Sequence, residues 1–202
     1  MIAIAITGEV GAGKSTLTKL LREKFCCKSV SADEIAKSLW DTEQVREAAV
    51  SRWGSSIVDE AGNVIKSEIS RIIFANESEN IWCNNLLHPL VFSKLREIVN
   101  HERLLGSGFL LLEIPLLFEA NVAKFWDYVI FVTAKLETRL QRCEINRNWS
   151  REEFFRREGF FMDSRLKISC SDFVIENDSG LGDLETAIER IIGKICREIT
   201  LR

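Results

Sequence analysis

The 202-residue sequence has little net charge, two prolines, two histidines and one tyrosine. Its formal charge is −3 at pH 7 and its isoelectric point is about 5.6. A general nucleic-acid binder would need a basic face, so that class is excluded. A nucleotide held by local charge is still compatible. No stretch approaches 18 apolar residues, so no segment is expected to span a bilayer. Ile2 to Ile6 is too short for a signal peptide and lacks a basic flank. The six cysteines (Cys26, Cys27, Cys83, Cys143, Cys170 and Cys196) contain no C-x-x-C pair, and neither histidine is near them. A zinc site is therefore not expected, and the thiols read as reduced, in a cytoplasmic protein. There is no internal repeat or low-complexity tract.

What is present is a 46% hydrophobic chain, enough for a buried core, with a length that suits one domain carrying an inserted lobe. Gly8-Glu9-Val10-Gly11-Ala12-Gly13-Lys14-Ser15-Thr16 matches the phosphate-loop pattern G-x-x-x-x-G-K-[ST]. The context the motif needs is also there. Ile2 to Thr7 before it is apolar and β-branched, as in a buried strand. After it, Leu17, Leu20, Leu21 and Phe25 mark one side of an amphipathic helix. Loop amides and a helix N-terminus present positive partial charge to phosphate. Gly8, Gly11, Ala12, Gly13, Lys14, Ser15 and Thr16 are thus the candidate ATP ligands. Lys14 would reach the β- and γ-phosphates, and the Ser15 hydroxyl would ligate Mg²⁺. Lys14 is expected to face solvent when no nucleotide is bound.

Lys28 to Ser31 reads as a second strand with a helix after it, which puts Asp33 on the ligand edge of a parallel sheet. Asp33 is either a functional acid there or a helix cap. Residues 34 to about 105 read as helices: 35–40, 45–53, 67–75, 79–87 and 90–104. That is more than a crossover between parallel strands needs, and it predicts a helical substrate lobe over 34–105 with the core at 1–33 and 106–202. Leu87-His88-Pro89-Leu90 reads as a break between two helices, with Pro89 in a first turn. His88 could pack, cap or contact substrate. Phe109 to Ile114 is a buried strand carrying Glu113, a candidate Mg²⁺ ligand. Pro115 to Glu119 reads as a loop into a short helix, and Tyr128 to Thr133 and Asp172 to Asn177 as strands. Seven arginines and no lysine fall between Arg139 and Arg165. This predicts an arginine-rich lid over about 139–165, with Arg139, Arg142 and Arg147 as candidate phosphate contacts.

Together the motifs resemble the dephospho-coenzyme A kinase family. The resembling pieces are Thr7 to Thr16, Ala32-Asp33-Glu34-Ile35-Ala36, Ile73-Phe74-Ala75-Asn76, Leu87-His88-Pro89-Leu90, Pro115-Leu116-Leu117-Phe118-Glu119, Arg139-Leu140, Lys167 and Asp172 to Asn177. They are collinear and cover nearly the whole chain. Where the family has Asp-Ala-Asp this chain has Ser31-Ala32-Asp33, and the family's lid arginine falls near Cys143. The resemblance implies an α/β fold, a P-loop NTPase-type parallel sheet flanked by helices. It implies ATP-dependent phosphorylation of the ribose 3′-hydroxyl of dephospho-coenzyme A, with Mg²⁺ as the cofactor. Asp33 and Lys14 would be catalytic, and Asp33 would orient the acceptor hydroxyl, as a base or as a hydrogen-bond partner. His88 and Glu119 would join the acceptor site and Asn177 the ATP site. The partners expected are the two substrates, with no nucleic acid and no membrane, on a monomer or weak homo-oligomer. Another small-molecule or nucleoside monophosphate kinase, or a slow nucleotide-dependent switch, are the competing readings. Dependence of ATP consumption on the acceptor separates them.

Overall fold

The computed structural model describes residues 1–106, 108–120 and 122–201. Five parallel strands form one sheet in the order β2-β3-β1-β4-β5. They are β1 (Ile2–Gly8), β2 (Lys28–Ser31), β3 (Phe109–Glu113), β4 (Tyr128–Thr133) and β5 (Phe173–Glu176). The central strands are apolar throughout because helices cover both their faces. The first face packs Ile4, Ile6, Leu111, Ile130 and Val132 against α1 (Lys14–Phe25) and α9 (Leu181–Thr200). The second packs Ala3, Ala5, Leu110 and Leu112 against α2 (Ala32–Leu39) and the latter half of α5 (Glu77–Leu105).

A separate apolar cluster joins α3 (Glu43–Trp53), α4 (Lys66–Ala75) and the first half of α5 around Trp40, Val45, Ala49, Ile69, Cys83 and Leu87. Trp53 lies between Trp40 and Trp82, with ring centroids at 6.1 and 4.9 Å. The expected break at Pro89 does not occur: Glu77 to Leu105 is one 29-residue helix with Pro89 inside it. An interior proline costs about 3 kcal/mol. Here Pro89 and Asn85, whose carbonyl loses its partner, both face solvent. Water can satisfy that carbonyl, while Cys83 and Leu87 on one side of the proline and Val91, Phe92 and Leu95 on the other are buried in two different clusters. Pro115 to Glu119 forms turns instead of the expected short helix.

Past β4, α6 (Leu136–Arg147), α7 (Arg151–Glu158) and α8 (Ser164–Ser169) fold back over the phosphate loop. The turn between α6 and α7 uses Asn148 in the left-handed region (φ 54°), and Ser150 caps α7 by accepting from the Glu153 amide at 3.1 Å. A small cluster of Val10, Cys143 and Phe154 seats these helices on the loop.

Candidate active site

The parallel register brings Gly8, Ser31, Glu113 and Thr133 to the carboxyl edge of the sheet, where ligands bind in open α/β folds. A cavity of about 620 Å³ opens there. Lys14, Ser15, Thr16, Asp33, Glu113, Arg142 and Arg147 all line it, with Gly11, Gly13 and Asn177.

The loop is held from behind. At Gly8 (φ +147°) a Cβ would come within 2.1 Å of the Val132 carbonyl oxygen. At Gly13 (φ +97°) it would come within 2.3 Å of the Asn177 amide nitrogen. Both positions therefore require glycine for close approach as well as for backbone angle. Buried Asn177 donates to the Ala12 carbonyl at 2.8 Å. Arg142 donates to the carbonyls of Ala12 at 3.3 Å and Asn177 at 2.8 Å. Ala12 itself is fully buried, so its contribution to a ligand is confined to its backbone.

Lys14 does not face solvent. It is half-buried, and its ammonium donates to the carbonyls of Gly8 at 3.0 Å and Glu9 at 2.9 Å. Desolvation pulls its pKa down to about 8, opposed by the nearby carboxylates of Glu113 and Asp33 and reinforced by Arg147 and Lys167. The side chain thus folds back across its own loop.

Ser15 donates to a Glu113 oxygen at 2.7 Å, and Thr18 donates to the other at 3.4 Å. A hydroxyl and a carboxylate are hard oxygen donors, and the pair suits a hard divalent cation. Among the described residues no cluster of three or more His, Cys, Asp or Glu side chains could cage a metal. A site with two protein donors fits a cation that keeps its waters and takes phosphate oxygens.

Asp33 is exposed in the first turn of α2, at the cavity wall. It is not the helix cap: Ser31 accepts from the Glu34 amide and fills that role. This removes the structural alternative for Asp33.

Three expected site residues sit elsewhere. Arg139 is buried and does not line the phosphate-loop cavity. It pairs with Glu9 at 3.3 Å and with Glu158, donates to the carbonyls of Ala134 and Val10 at 3.1 and 3.3 Å, and lies over the Phe154 ring. It lines a second cavity behind the loop. Paired with Glu9 of the loop and Glu158 of α7, it braces α7 against the phosphate loop. Glu119 pairs with Lys167, which is 2% exposed, and accepts from the Met162 amide at 2.9 Å. His88 stands edge-on to Phe92 at 6.3 Å, and burial pushes its pKa down against the pull of Glu119. Neither lines the phosphate-loop cavity.

The role of one loop residue escaped the sequence reading. Glu9 occupies a variable motif position yet accepts from Thr133 at 2.5 Å and pairs with Arg139. Cys143, where the resemblance puts the family's lid arginine, also lines the cavity, as does Phe161. No helix is long and apolar enough to cross a membrane among the described residues.

Known proteins share this fold. A Fusobacterium nucleatum protein named dephospho-CoA kinase is 31% identical over 194 residues, covering 94% of this chain and 96% of its own. A crystal structure of a Thermus thermophilus protein superposes with a TM-score of 0.76 at 30% identity, over 96% of this chain and 97% of that one. A dephospho-CoA kinase from Campylobacter jejuni superposes at 0.71 over 97% and 98% of the two chains; at 24% identity that likeness speaks for the fold. The sequence model of the dephospho-CoA kinase family matches residues 2–183, and the chain belongs to that family.

Proposed function

We propose that the chain transfers the γ-phosphoryl group of ATP to the ribose 3′-hydroxyl of dephospho-coenzyme A, giving coenzyme A and ADP, the final step of coenzyme A biosynthesis. The observation that carries this reading is the convergence of Lys14, Ser15 and Glu113 with Asp33, Arg142 and Arg147 on one cavity, in a member of this family. Phosphoryl transfer of this kind depends on positioning and charge more than on covalent chemistry.

In this reading the loop amides and Lys14 hold the β- and γ-phosphates. Phosphate oxygens replace the Gly8 and Glu9 carbonyls as partners of the Lys14 ammonium and raise its pKa again, since a nearby anion favours the charged form. Ser15 and Glu113 would hold Mg²⁺, which when bound neutralises charge between the β- and γ-phosphates. Asp33 orients the acceptor hydroxyl and accepts its proton. Arg142 and Arg147 offset charge on the transferring group. The segment 34–105 serves as the acceptor lobe and 139–165 as the lid that excludes water, which would otherwise take the phosphoryl group.

The test is ADP formation across acceptors: dephospho-coenzyme A, AMP, UMP, shikimate and water alone. Turnover that needs dephospho-coenzyme A, with phosphorus NMR placing the new phosphate on the 3′-oxygen, supports the reading. Preference for another acceptor makes the chain a different small-molecule kinase. Slow hydrolysis indifferent to acceptor makes it a switch.

A further inference from the structure

Arg147 is exposed at the end of α6, yet it lines the phosphate-loop cavity and its charge acts on Lys14. Among the described residues no carboxylate pairs with it. An arginine so placed loses rotamer freedom only if something other than an ion pair holds it. The candidate is Trp149, two residues on. The Arg147 guanidinium carbon lies 4.7 Å from the centroid of the Trp149 ring. The same ring has a second arginine over it, Arg157 of α7, at 4.3 Å.

Arg157 reaches further. It lies over the Phe74 ring at 4.0 Å, and Phe74 belongs to α4, which packs in the helical cluster around Trp40 and Ile69. Two more contacts reach Phe74: Arg156 of α7 donates to its carbonyl at 2.9 Å, and Phe160, just past α7, meets its ring edge-on at 6.0 Å. Within α7, Glu153 pairs with both Arg156 and Arg157. Glu153 is therefore shared by the two arginines facing α4, while Arg147 has no carboxylate partner among the described residues. Arginine over an indole face is attracted by the ring quadrupole, and its planar group stacks where an ammonium cannot.

We propose that Trp149 is a positioning residue. Its indole holds the Arg147 guanidinium at the wall of the phosphate-loop cavity, and Arg157 ties that setting through Phe74 to the helical lobe. The consequence is that occupancy of the lobe by acceptor and readiness of a lid arginine are linked through one stack of alternating rings and guanidinium groups. This inference rests on the kinase reading above.

The experiment is a double-mutant cycle on the full chain with Arg147→Ala, Trp149→Leu, their combination, and Trp149→Phe, read as kcat and KM for ATP and dephospho-coenzyme A. Trp149→Leu should lower kcat about tenfold while both KM values change less than twofold. Trp149→Phe, which keeps an aromatic face, should recover most of that loss. The double variant should be no slower than Arg147→Ala alone, because the ring acts through the arginine. Melting temperatures of all four identify a folding defect, and Trp149→Phe keeps the test open if Trp149→Leu fails to fold. Multiplicative losses, an unimpaired Arg147→Ala, or a loss in Trp149→Phe as large as that in Trp149→Leu would each overturn the proposal. A wild-type chain inactive on dephospho-coenzyme A would instead sink the kinase reading.

Discussion

Removing the Lys14 amine should change the pH dependence of stability as well as abolish transfer. In the free protein the ammonium is half-buried against two carbonyls, and its pKa falls from 10.5 to about 8. At about 1.4 kcal/mol per decade, that fall corresponds to roughly 3 kcal/mol against the charged form. Solvent on the open side of the cavity reduces this to about 2–3 kcal/mol. Below pH 8 the folded and unfolded chains both hold the proton, and the cost is present in full. Between about 8 and 10.5 the folded chain releases its proton first, the unfolded chain binds more, and stability rises with pH. Above 10.5 both are neutral and the gain is complete. Lys14→Met lacks this rise, while the other titrations are common to both proteins and cancel in the difference. Urea unfolding of both proteins without nucleotide, at roughly pH 7.5, 9 and 10.5, should show the wild type gaining about 2–3 kcal/mol on the variant across that range. A flat difference would refute the desolvated ammonium. A Lys14→Met protein with near-normal turnover would remove the residue from the mechanism.

Asp33→Asn should lower kcat by about 10²–10⁴-fold with ATP affinity and melting temperature little changed, because the α2 cap belongs to Ser31; steady-state kinetics that leave kcat intact exclude Asp33 as base. Arg139→Ala should instead act on stability, by about 3–5 kcal/mol, since it strands Glu9 and Glu158 beside the loop. Denaturant midpoints check this, and an undiminished midpoint with a selective loss of kcat would return Arg139 to the phosphate contacts.

The centre of the sheet was readable because β1, β3 and β4 are largely apolar runs, and the phosphate loop because its chemistry is local: strand, glycines, Lys14, Ser15 and helix follow one another. Glu113 was readable from position alone, as an acid ending a buried strand. Other features were hidden by distance along the chain. Nothing near Arg139 distinguishes it from Arg142 or Arg147, because its partners Glu9 and Val10 lie at the opposite end of the sequence. The ion pair of Glu119 with Lys167 was hidden because Lys167 is supplied by α8, a six-residue helix too short for a periodicity signal. Pro89 misled for a different reason. Local propensity ends a helix there, but burial in two clusters overrides it and the solvent-facing side tolerates the missing bond.

The props of the phosphate loop also set an order of assembly. Its backbone is shaped by Thr133 reaching Glu9 across 124 residues, Arg139 reaching Val10 across 129, Arg142 reaching Ala12 across 130 and Asn177 reaching Ala12 across 165. A nascent chain that has emerged as far as β3 holds every residue of the motif and none of these props. The nucleotide pocket is therefore among the last features to take shape as the protein is made. A partly synthesised or C-terminally nicked chain keeps the signature in its sequence but lacks the mould that gives the loop its form.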